Sequence, residues 1–216
     1  MHATLLNTAD PSLRERAFQA LKERILRGEI PSGTVLTETR VAKSLGMSRT
    51  PVREALVRLT HEGFAQRFPG RGVIVLELSV KDIIDVIDVQ GCLEQYAIQR
   101  VFESGRRFQV PELRDLLRRQ RQAVAARDTR DFLQHDRRMH YRIVEHVENS
   151  RLCLIMENAS DLLVYGGYRA LGNEAKMQET LREHEAIIDA LEAQDARAAV
   201  DASRLHIEGA KRRLLS

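Results

Sequence analysis

The tightest constraint on the fold lies between Thr37 and Val75, TETRVAKSLGMSRTPVREALVRLTHEGFAQRFPGRGVIV. Val41, Ala42 and Leu45 share one face of a short helix that Thr37 can cap, and Gly46 stands where such a helix ends. Ser48 suits the N-cap of a second helix, and Pro51 is tolerated in its first turn. Val52, Ala55, Leu56 and Leu59 then recur at helical spacing until Gly63. FAQRF and VIVLEL, on either side of PGRG, read as two strands of a hairpin. Upstream, Pro11 to Arg27 carries Leu13, Ala17, Ala20, Leu21 and Ile25 at helical spacing before Gly28 and Pro31 stop it.

Three helices and a hairpin in this order predict a winged helix-turn-helix over residues 11–78, preceded by a tail over residues 1–10. Its charge agrees: residues 1–78 hold 12 Lys/Arg against 8 Asp/Glu, while residues 79–216 hold 22 against 23. The basic excess therefore lies in the smaller piece, where an anionic partner would bind. Arg49 and Arg53 are four apart and share the helix face opposite Val52, Ala55, Leu56 and Leu59. Cations at a helix start oppose the dipole, and DNA phosphates or guanine edges reverse that sign. Ser48 and Thr50 add hydroxyls, and Arg71 sits at the hairpin tip. The plainer alternative is a solvated face shared with Glu54 and Glu62.

From Ser79 onward the pattern is helical only, at roughly 80–104, 111–126, 129–147, 150–170, 174–193 and 196–213. Six helices without strand signals predict an all-α bundle over residues 79–216, so the whole chain is mainly α. No run of apolar residues is long enough for a membrane span, and no secretory leader pattern opens the chain. Cys92 and Cys153 stand alone inside helical patterns, as buried thiols in a cytoplasmic protein would.

The segment quoted above resembles the DNA-binding domain of the GntR family of bacterial transcription regulators, whose hallmark is close to SRTPVREAL. The resemblance implies a double-stranded DNA partner, with Arg49 and Arg53 reading operator bases. It places Thr50 and the wing glycines Gly70 and Gly72 near the backbone, while Arg71, from its place at the hairpin tip, can reach an adjacent groove or backbone. Members of the FadR-type branch often carry an Arg where Thr39 stands, whereas here the neighbouring Arg40 supplies the cation. Paired helix-turn-helix units on a palindromic operator imply a homodimer, and repression is the commoner role in the family.

A second constellation lies in the bundle. Asp136 and His140 project from one helix face, His184 opens EHEAIIDAL, and His206 lies in the last helix. Three imidazoles and a carboxylate suit a borderline divalent ion, with zinc first and nickel, manganese or iron as alternatives. The spacing resembles the FCD domain of FadR-type regulators, and the six-helix length resembles its VanR-like subgroup. That resemblance implies a metal held by Asp136, His140, His184 and His206, and a small organic acid effector beside it. Many members pair the effector with an Arg from the first bundle helix, but this chain has Gln90 there. Gln90, Tyr165 and Arg169 are the pocket candidates, and His135 and His146 are expected at the surface. Two other readings of the same residues are a structural metal without an effector, and a metallohydrolase using Glu183 or Glu185 as general base.

Overall fold

The computed structural model describes residues 12–167 and 173–216; the tail over residues 1–10 and Arg169 lie outside them. The chain divides into two compact units, the first ending at Glu77 and the second beginning at Leu78.

The first unit runs α1 (Leu13–Leu26), β1 (Val35–Leu36), α2 (Glu38–Leu45), α3 (Arg49–His61), β2 (Ala65–Phe68) and β3 (Gly72–Val75). Ser12 starts α1 by accepting the Glu15 amide, and Thr37 starts α2 by accepting the Arg40 amide. Gly46 takes the left-handed conformation at φ 63°, and the Met47 amide closes the turn on the Ala42 carbonyl at 3.0 Å. That glycine fixes the angle at which α3 leaves α2. The apolar stripes of α1 and α3 then pack together, burying Phe18, Leu21, Ile25, Val52, Leu56 and Leu59, and Phe64 is buried after them.

The wing contains a strand that sequence periodicity does not show. β1 pairs antiparallel with β3 (Val35 opposite Ile74, Leu36 opposite Val73), giving the sheet order β1-β3-β2. Two residues are too few to display alternation, so pairing with β3 alone makes IPSGTVL part of the sheet. Gly72 lies at that junction with φ 93°, and a Cβ there would stand 3.2 Å from the Leu36 carbonyl oxygen. Gly72→Ala should therefore destabilise the first unit by roughly 1–3 kcal/mol through backbone strain and crowding of β1. Chemical denaturation followed by circular dichroism checks this; an unchanged midpoint would mean the wing accommodates the methyl freely.

The second unit is six helices: α4 (Val80–Glu103), α5 (Val110–Ala126), α6 (Thr129–Glu145), α7 (Ser150–Gly167), α8 (Glu174–Glu192) and α9 (Ala196–Leu215). Five of their starts are set by side chains that satisfy the free amides of the first turn: Ser79 and Asp82 in a reciprocal box, then Asp128, Asn149, Asn173 and Asp195; α5 starts without a side-chain cap, with Pro111 in its first turn. α9 packs on α4 and α8, α6 on α4, α5 and α7, and α5 on α8. The helices carrying His140, His184 and His206 thus surround one interior. No helix among the described residues is long and apolar enough to cross a membrane.

Two expectations need correction. Cys92 is exposed rather than buried, because it falls on the outward face of α4 between Val89 and Tyr96; Cys153 is half-buried, and both thiols are free. His146 is not a free surface residue. Its Nδ1–H donates to the Arg142 carbonyl at 2.6 Å, its Nε2 accepts the Gln109 amide at 2.8 Å, and its ring lies against Phe108. It joins the end of α6 to the start of α5. His135 is half-buried beside Asp131.

Candidate functional site

Two surfaces carry chemistry. On the first unit, α3 presents an exposed N-terminal half. Ser48 has the extended backbone of an N-cap, yet its hydroxyl makes no capping hydrogen bond and remains available. Thr39, Arg40, Thr50 and Arg71 are exposed, and Arg49 is 70% exposed with Nη2 3.2 Å from Glu38 Oε2. Arg53 is exposed and makes no ion pair among the described residues, while Arg58 is tied to Glu15 and Glu62. Gly70 and Gly72, both at positive φ, shape the hairpin loop around Arg71. The helix thus has one solvated cation face and one fully buried apolar face, as its spacing predicts.

The second surface is interior. His140 (α6), His184 (α8) and His206 (α9) are buried, and each offers a ring nitrogen to a group whose members lie within 4.8 Å of one another. The outer nitrogens are all occupied. His140 Nδ1 meets Glu94 of α4, His184 Nδ1 lies 2.7 Å from Gln120 Oε1 of α5, and His206 Nδ1 lies 2.9 Å from Glu183 Oε2 of α8. Glu94 accepts in turn from Ser203 at 2.7 Å, and Glu183 from both terminal nitrogens of Arg213 at 2.7 Å. With Nδ1–H donating outward, the Nε2 atoms face inward; those of His140 and His184 are buried without a hydrogen-bond partner. Asp136 stands on that inner side, 3.4 Å from His184 Nε2 and 3.8 Å from His140 Nε2.

The electrostatics follow from these partners. Burial opposes a charge on His140, yet the Glu94 carboxylate and its hydrogen bond raise the pKa to about 9. Glu94 is correspondingly held low against its own burial. His184, whose Nδ1 partner is an uncharged amide, is pushed well below 6.5 by burial, with repulsion from His206 and His140 adding to it. Burial raises the carboxyl of Asp136. An orphaned buried nitrogen costs about 1–3 kcal/mol. Inward Nε2 atoms, each ring oriented by an outer hydrogen bond, suit a divalent ion that displaces the second proton of His140.

A cavity of about 70 Å³ adjoins the cluster, lined among others by Gln90, Asp136, His140, His206 and Arg213. Gln90 lines this cavity. Tyr165 is half-buried on α7 and is not among the lining residues. The hydrolase reading finds no free base: Glu183 is held by Arg213 and His206, and Glu185 points away to Arg121.

Glu94, Gln120, Ser203 and Arg213 were not singled out by sequence, although a signal exists. Each occupies an apolar stripe: Ile83, Ile87, Gln90, Glu94, Ala97 and Val101 on α4, and Leu113, Leu117, Gln120 and Val124 on α5, are buried at helical spacing. A polar residue at such a position requires an interior partner. Gln120→Ala should weaken metal affinity about 10–100-fold while leaving every inner nitrogen in place. Competition with a fluorescent chelator measures this; unaltered affinity would mean Gln120 does not orient His184.

A winged helix-turn-helix joined to an all-helical bundle defines the class of two-domain DNA-binding transcription regulators. The description "Bacterial regulatory proteins, gntR family" matches residues 13–75 and "FCD domain" matches residues 85–209. The chain belongs to the GntR family of bacterial transcription regulators and carries its FCD domain. Similar proteins include the gluconate operon transcriptional repressor of Bacillus licheniformis, 28% identical over 169 residues (78% of this chain, 68% of the relative). The transcriptional repressor RspR of Escherichia coli K12 is 25% identical over 205 residues (95% and 90%). Among solved structures, a GntR regulator from Rhodococcus sp. RHA1 shares the fold with TM-score 0.79 at 20% identity, covering 94% of this chain and 97% of that one.

Proposed function

We propose that this chain is a metal-assisted, ligand-responsive repressor that acts as a cytoplasmic homodimer on a palindromic operator. Arg49 and Arg53 read base edges, with Ser48, Thr50, Thr39 and Arg40 on the flanking backbone and Gly70, Arg71 and Gly72 carrying the wing contact. Exposed apolar side chains on the helical unit, Val89 and Tyr96 on α4 and Leu154 and Ile155 on α7, supply surface for a second copy. The six-helix count fits the shorter VanR-like subgroup.

The observation that carries the sensing half is the ring of inward Nε2 atoms beside a cavity. His140, His184, His206 and Asp136 would hold a divalent ion, zinc by donor type with nickel, manganese and iron as alternatives. The ion supplies a positive centre that attracts an anionic oxygen of a small acid in the adjoining space. Glu94 keeps a cationic partner in either state, protonated His140 or metal-bound imidazole. The relative named for a gluconate operon supports an acid as effector. Effector binding then changes operator affinity, a coupling of about 1–3 kcal/mol.

The structural-metal reading differs by one observation, since a purely structural site has no need of the neighbouring cavity. Elemental analysis of the purified protein, paired with a thermal-shift screen of carboxylic and sugar acids, separates the two. One metal per chain and a rise for one acid class is expected. Metal without any acid response would leave the structural site, and no metal would remove both.

A further inference from the structure

We propose that Arg213 is the anchor for the effector's carboxylate, and that the effector is a short acid of two or three carbons. This rests on the effector reading above and adds to it the binding residue and the size class. Arg213 is the one arginine or lysine among the cavity's described lining residues, and it is only 5% exposed. The adjacent wall is largely apolar, with Ile83, Ile87, Ile207 and Ala210, while Gln90 offers an uncharged amide. An acid entering this space has one guanidinium to meet.

The guanidinium is also prepared for it. Glu183 binds both terminal nitrogens in parallel, which fixes the plane of the fork, and Nε is buried without a hydrogen-bond partner. Gly209, one turn earlier on α9, makes room for this pair: a Cβ there would overlap Glu183 Oε1 and stand 3.0 Å from Arg213 Nη1. Glu179 Oε2 also stands 3.6 Å from Nη1, so an entering carboxylate shares the guanidinium with its two glutamates. Glu183 also accepts from His206, so the same carboxylate orients a candidate metal ligand and the candidate anchor.

Volume sets the size. At about 10–15 Å³ for each water-sized site, the 70 Å³ inside the cavity's mouth takes about five non-hydrogen atoms, and a longer acid would have to extend out through that mouth. Glycolate, lactate and pyruvate are of that order, whereas six-carbon sugar acids are about twice as large or more.

The test is isothermal titration of metal-loaded, full-length protein with glycolate, L-lactate, pyruvate and gluconate, on wild type, Arg213→Gln and Arg213→Lys. We expect wild type to bind at least one short acid about tenfold or more tighter than gluconate. Arg213→Gln, which still hydrogen-bonds Glu183, should lose about tenfold or more in that affinity while elemental analysis finds its metal retained. Arg213→Lys keeps the charge but not the fork and should also weaken binding; it decides the matter if the Gln variant does not fold. Equal binding by the folded variants overturns the anchor, and gluconate binding as tightly as the short acids overturns the size class. If metal-loaded wild type binds none of the four, the effector reading itself falls and takes this inference with it.

Discussion

Replacing Arg53 by Ala is expected to weaken operator binding about 5–150-fold, equivalent to roughly 1–3 kcal/mol, with almost no change in stability. The asymmetry follows from position. Arg53 is exposed on α3 while Val52, Leu56 and Leu59 are buried, and it has no ion pair among the described residues to lose. An exposed substitution of this kind shifts stability by no more than about 0.5 kcal/mol. Arg49 provides an internal comparison. Its guanidinium already pairs with Glu38 in the free protein, so DNA contact must compete with an interaction worth about 0–1 kcal/mol. Arg49→Ala should therefore cost the same or less than Arg53→Ala, and Glu38→Gln should tighten binding slightly. Fluorescence anisotropy on an operator fragment at two salt concentrations reads all three. A phosphate contact would lower the salt slope by about one unit, whereas a guanine contact would relax specificity at one base pair. Unchanged affinity in Arg53→Ala would remove this helix as the reading element.

The reading helix is legible in the sequence because the helix-turn-helix is a local structure. Gly46, Ser48 and the stripe from Val52 to Leu59 specify it through neighbours in sequence, and each took its anticipated place. The bundle was legible for the same reason: the apolar spacing of each helix belongs to its own residues, and the structure shows that the caps at Ser79, Asp128, Asn149, Asn173 and Asp195 act only on their own first turns. What escaped was non-local. β1 exists only because β3 lies beside it, and Cys92 is exposed because of which face α4 turns outward. The partners of the histidines come from α4, α5 and α8: Glu94 is 46 residues from His140, Gln120 is 64 from His184 and Glu183 is 23 from His206. Periodicity shows that Glu94 and Gln120 point inward, but not which imidazole each one meets.

The interior cluster gives the second large effect. His184→Ala should reduce bound metal from one per chain to a small fraction, and it should abolish the response of the helical unit to chelation. His184 is fully buried, its Nδ1–H is spent on Gln120, and its Nε2 has no hydrogen-bond partner. In the metal-free protein that nitrogen is a liability of about 1–3 kcal/mol. Removing the ring relieves it, while opening a void and leaving Gln120 Oε1 unpaired, so part of the cost of truncation cancels. With metal bound there is no such relief. A ligand present at about a thousand times its dissociation constant stabilises the folded state by about 4 kcal/mol, and losing an inner nitrogen forfeits most of that. The gap between wild type and His184→Ala in melting temperature should accordingly be wide in metal and narrow in chelator, with the winged unit unaffected in both. Equal gaps would identify His184 as a packing residue only, and undiminished metal by elemental analysis would place the ion elsewhere. The same comparison on His140→Ala should differ in one respect. There Glu94 loses the cation that holds its carboxylate charged, so the metal-free variant should be the less stable of the two.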